Sequence, residues 1–79
     1  MSHYEPGSVL RLLLPRENYD YDTLTLWKGA HSMAMLGRIS HGECVIALSY
    51  EKDFGLLKVL TAAGVVGYAI EGSFWKLVG

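Results

Sequence analysis

The chain has 79 residues, 51% of them hydrophobic and only 19% charged, with 7 Lys+Arg against 8 Asp+Glu. That length sustains one domain; the apolar content is too high for intrinsic disorder, and the charge balance gives nucleic acid no broad basic surface to bind. A single cysteine rules out an internal disulfide, so the chain is no stapled secreted mini-protein.

Taken in order, the chain is cut by prolines and glycines into short pieces. Residues 1–8 form a lead-in without the basic and apolar regions of a secretory signal. Val9–Leu14 is an apolar run held to strand length by Gly7 and Pro15. Arg16–Asp22 is polar and aromatic without periodicity, a loop. Thr23–Trp27 alternates with period two and carries threonines, a strand signal. Met33–Ile39 reads as a strand, with a short helix as the rival because Ala and Met favour helix. Ser40-His41-Gly42 is a turn. Glu43–Tyr50 follows as a strand, with Cys44, Ile46, Leu48 and Tyr50 on one face and Val45, Ala47 and Ser49 on the other. Glu51-Lys52-Asp53 turns the chain into Gly55–Thr61. Ala62-Ala63-Gly64 makes a three-residue hairpin loop, with Gly64 at the left-handed position. Val65–Ile70 returns, Glu71-Gly72-Ser73 turns again, and Phe74–Val78 is the last strand.

Short segments at this spacing predict an all-β domain, a small barrel of five to seven antiparallel strands. Closure is expected because an open sheet would leave two apolar edges. Gly55–Thr61 and Val65–Ile70 are apolar on both faces, which predicts a homo-oligomer. The most apolar stretch, residues 55–70, is broken by Lys58, Gly64 and Gly67 and falls short of the roughly 20 apolar residues of a membrane helix. A reducing cytoplasm is the expected compartment, and Cys44, in an apolar run, is expected to be buried and inert.

Two tracts carry a resemblance. Leu36-Gly37-Arg38-Ile39-Ser40-His41-Gly42-Glu43-Cys44-Val45 looks like strand, tight turn with glycine and acid, and strand. Leu57-Lys58-Val59-Leu60-Thr61-Ala62-Ala63-Gly64-Val65-Val66-Gly67-Tyr68 looks like a hairpin in which a "KV" strand leads through a glycine turn to "GxxGY". With Phe74-Trp75-Lys76-Leu77-Val78 as closing strand, about two-thirds of the chain resembles an SH3-like barrel of the bacterial SH3 type. The tract Tyr19–Gly29 is similar to the acidic, aromatic first loop of such domains. The resemblance implies a single SH3-like barrel over residues 1–79 that works by protein contact. Two departures count against proline-rich ligands: Leu56-Leu57 stand where ligand-binding members carry a tryptophan, and Ile70-Glu71 where they carry a proline. Tyr19 or Tyr21 and Phe74 are the residues left to line a groove.

The distinctive polar segment is Glu17-Asn18-Tyr19-Asp20-Tyr21-Asp22. As a partner-binding surface, Asp20 and Asp22 would steer a basic or amphipathic peptide while Tyr19 and Tyr21, with Phe74, supply contact area. The plainer alternative is a solvated loop whose tyrosines cap the core. No metal or cofactor is expected: His3, His31 and His41 stand in separate segments without ligand spacing, and no phosphate loop, dinucleotide fingerprint or nucleophile elbow is present. Trp27, Trp75, Phe54 and Tyr68 read as core or core rim, and as an interface if several are exposed together. The function expected is a non-enzymatic interaction or assembly module, self-associating or docking an unknown protein. The alternative is a small oligomeric enzyme or ligand-binding protein with its site between subunits. Neither nucleic acid nor membrane is an expected partner.

Overall fold

The computed structural model describes residues 5–14, 23–29, 31 and 34–78. These form seven strands and, among the described residues, no helix: β1 (Val9–Leu12), β2 (Thr23–Trp27), β3 (Met35–Ser40), β4 (Cys44–Glu51), β5 (Leu56–Thr61), β6 (Val66–Ile70) and β7 (Trp75–Leu77). They make one antiparallel sheet in the order β3-β2-β6-β5-β4-β1-β7. The helical rival for the region of β3 is thereby removed, since Met35–Ser40 pairs along β2 from Thr23 to Trp27.

The sheet is rolled, and a single short connection forces this. If it were flat, β3 and β4 would lie four strand spacings apart, about 19 Å. Only His41–Glu43 join them, and the Glu43 N–H donates to the Ser40 carbonyl at 3.0 Å. That is a β-turn, whose ends lie within about 7 Å. Gly42 turns the corner with φ +87°, a left-handed conformation that costs a glycine nothing. The Glu43 carboxylate closes the turn by accepting the Ser40 N–H at 3.2 Å.

The expected closure is incomplete. No ladder joins β3 to β7 among the described residues, so these are the two edges of the sheet. The Leu12 carbonyl accepts the Gly42 N–H at 2.6 Å and the Leu12 N–H donates to the Glu43 carbonyl at 3.0 Å. These bonds extend the β1–β4 ladder into the turn, while on its other side β1 pairs with the three-residue β7 from Leu10 to Leu12, with the Leu13 N–H donating to the Phe74 carbonyl at 2.8 Å and the Val78 N–H to the Val9 carbonyl at 2.9 Å.

Inside the roll, alternate residues meet. β1 contributes Leu10 and Leu12, with Leu14 beyond its end; β4 contributes Val45 and Ala47; β5 contributes Leu57 and Val59. Leu26, Ile39, Ala69 and Trp75 complete the core. The Trp75 indole N–H donates to the Ile70 carbonyl at 2.9 Å, which satisfies the one polar group of a buried ring. Gly67 faces inward where β2 crosses β6: a Cβ there would lie 2.7 Å from Leu26 Cγ and 3.0 Å from the Trp27 carbonyl oxygen. Its missing side chain lets the two strands approach.

One expected alternation fails within β4. The register slips between Ala47 and Ser49, leaving Leu48 as an extra residue. This bulge changes the phase, so Tyr50 joins Val45 and Ala47 against the core instead of sharing a face with Cys44 and Ile46. An eight-residue strand in a rolled sheet must bend, and a bulge is how it bends. The hairpin loop between β5 and β6 is as expected. The Thr61 N–H donates to the Val65 carbonyl at 2.9 Å, the Gly64 N–H donates to the Thr61 carbonyl at 2.9 Å, and Gly64 has φ +83°.

His41 ties this turn to the chain beyond β1: its Nδ1 accepts the part-buried Leu14 N–H at 3.0 Å. Replacing it by Ala strands that donor and is expected to lower unfolding stability by about 1–2 kcal/mol. His41→Asn, which keeps an acceptor at a similar reach, should recover part of the loss. Urea unfolding of both variants checks this; equal stability of Ala and Asn would show that the hydrogen bond contributes nothing.

Candidate functional site

Of the residues expected to bind a partner, Tyr19, Asp20, Tyr21 and Asp22 lie outside the described residues. Phe74 lies in the turn before β7, half-buried against the core. Its ring covers Gly72, where a Cβ would come within 2.5 Å of it, and stands 6.3 Å from the Trp75 ring at 53°. Trp75 is wholly core. Phe54 is exposed and meets the His31 ring edge-on at 4.5 Å. Trp27 and Tyr68 are half-buried and directly opposite each other across β2 and β6.

The outer face of the sheet holds a larger feature. Register places Val9 opposite Ile46, Ile46 opposite Leu60, and Leu60 opposite Val66. Directly opposed residues share a face, so one apolar row crosses β1, β4, β5 and β6. Val9 is 38% exposed, Ile46 37% and Val66 46%. Beside this row, Cys44 and Ala62 form the far bank of an open apolar groove of about 250 Å³, lined by Val9, Ile46 and Leu60 on the near bank. Val45 and Thr61 form its floor. Thr61 is nearly buried, and its hydroxyl oxygen accepts the Val65 N–H at 3.2 Å.

Charge is distributed unevenly around the groove. The described strands carry Arg11, Arg38, Lys58 and Lys76 and a single carboxylate, Glu51. The other described carboxylates, Glu5, Glu43, Asp53 and Glu71, stand outside the strands. Arg11 lies opposite Cys44 on one side and opposite Lys76 on the other, and both cations are exposed. Like charges directly opposed in a sheet repel.

Among the described residues, no three of His, Cys, Asp and Glu converge as a metal site would require, and no helix is long and apolar enough to cross a membrane. No family model matches the chain, and no curated protein or solved structure matches it significantly. The groove was not legible in sequence. The available signal was the apolar character of both faces of β5 and β6; finding the groove also needed the register that aligns Val9 with Ile46.

Cys44 departs from expectation. It is half-exposed and lines the groove, because its position in β4 turns its side chain to the outer face, opposite Arg11. A maleimide reagent should therefore modify it fully in the folded protein, at a rate unchanged by sub-denaturing urea. A rate that rises steeply with urea would show that the thiol is reached only by opening of the fold.

Proposed function

We propose that this chain is a non-enzymatic SH3-like module for protein–protein contact, and that its docking face is the outer surface of β1, β4, β5 and β6. The hairpin with its glycine loop, the terminal strand β7 and the rolled sheet support the SH3-like reading. The observation that carries the docking role is the continuous apolar row Val9–Ile46–Leu60–Val66, left facing solvent beside a groove. Contiguous exposed apolar surface of this kind marks interaction sites. The groove's roughly 250 Å³ falls below the range of about 300–1,000 Å³ in which small-molecule pockets lie. It suits an anchoring side chain from another polypeptide better than a metabolite, which weighs against the enzyme alternative. Panning a random peptide library on the native chain should enrich aliphatic or aromatic anchors. The enriched peptides should lose binding to an Ile46→Lys/Leu60→Lys variant that keeps its native circular dichroism. Enrichment no different from the variant's would remove the docking role.

Self-association is a second reading, favoured by a separate observation at the edge of the sheet. β7 pairs only with β1 among the described residues, and Leu77, 67% exposed, sits there with Leu13 and Val78. Unprotected apolar edges pair with one another. Light scattering across a concentration series should give a multiple of the chain mass that Leu77→Lys returns to a single chain. A single-chain mass at every concentration would remove this reading.

A further inference from the structure

We infer that the partner docked on this face is an acidic protein segment, of the pattern acid–x–apolar–x–acid in extended conformation. This rests on the docking role proposed above and adds the chemistry of the partner. The groove, at about 250 Å³, has room for an apolar side chain between its two banks. On one flank stand Arg11, directly opposite Cys44, and Lys76, one strand further out. Along β5, Lys58 lies two residues from Leu60 on the same outer face, about 7 Å away. In an extended segment the residues at i−2 and i+2 point the same way as residue i, at the same spacing of about 7 Å. A segment that seats its apolar residue in the groove therefore has two neighbouring side chains within reach of these cations.

The cations favour carboxylates there. Arg11 and Lys76 face each other as like charges, and no ion pair to a carboxylate engages either of them among the described residues. A carboxylate placed between them turns a repulsion into two charge-assisted hydrogen bonds, with the guanidinium able to grip it at two points. The same arrangement discourages basic segments. A nucleic acid or an anionic bilayer is also negative. The apolar row lies between the cations and covers more strands than they do, which fits alternating apolar and acidic side chains rather than a run of phosphates.

The test uses synthetic fluorescent peptides with one central Leu or Phe and either Asp or Asn at the positions two before and two after it, titrated against the full chain by anisotropy. The Asp peptide should bind about three- to ten-fold more tightly than the Asn peptide, the span expected of two exposed charge pairs. The advantage should shrink as salt is raised. Arg11→Glu/Lys76→Glu should erase the preference and transfer it to a Lys-flanked peptide, which also shows that the variant is folded and competent. Equal affinity of the Asp and Asn peptides, or a preference untouched by charge reversal, would overturn the inference while leaving the docking role in place. If no anchored peptide binds, the docking role fails and the inference with it. Tighter binding of an oligonucleotide or of phosphatidylserine vesicles than of the Asp peptide, lost in the charge-reversed variant, would overturn the assignment to a protein segment.

Discussion

The β-turn at Ser40–Glu43 is the constraint on which the rest depends. Two strands at well-separated places in the sheet order must meet within one turn, so the sheet has to roll. The turn is secured from several sides. Gly42 supplies the left-handed residue, the Glu43 side chain accepts the Ser40 amide, Leu12 exchanges hydrogen bonds with Gly42 and Glu43, and His41 holds the amide of Leu14. These are local hydrogen bonds, each worth only about 1 kcal/mol. Together they fix where the end of β1 lies relative to β3 and β4, and so which residues look inward.

Rolling divides an apolar-rich chain into two unequal surfaces. The inner one is filled by residues such as Leu10, Leu57 and Val59, and Gly67 is needed to let β2 lie against β6. The outer one receives every second residue of the same strands. In β5 and β6 these include Leu60, Val66 and Ile70, which have no second layer to pack against among the described residues. A domain of this size gains nothing in its own stability from leaving such a row exposed to water. Its continuity across β1, β4, β5 and β6, with Arg11, Lys58 and Lys76 on its flanks, is what the proposed docking role rests on.

Much of the fold was legible in the sequence because the signals were local. Thr23–Trp27 alternates cleanly, and Gly42 and Gly64 mark turns that need positive φ; all three behave as expected. The features that were not legible depend on long-range partners. The bulge at Leu48 breaks an apparently regular alternation, because the bend it serves is set by strands far away in sequence. Incomplete closure shows only in the strand order, and the Leu12 bonds to the turn join segments thirty residues apart. The same holds for the groove: Val9, Ile46 and Leu60 are unremarkable singly and acquire meaning only in register. Of the expected site residues, Phe74 proves to pack on Gly72 and the core rim, while the acidic, tyrosine-bearing segment around Asp20 lies outside the described residues.

The central claim is that a polypeptide docks between β1, β4 and β5 on the outside of the roll. The most direct measurement is a two-dimensional amide NMR titration of the isotope-labelled chain with an anchored acidic peptide. The largest shift changes should fall on Val9, Cys44, Ile46 and Leu60–Ala62, with Arg11 and Lys76 following, while the inward-facing Leu26 and Ile39 stay still. Changes concentrated instead on β2, β3 and the ring pair His31 and Phe54 would contradict the account.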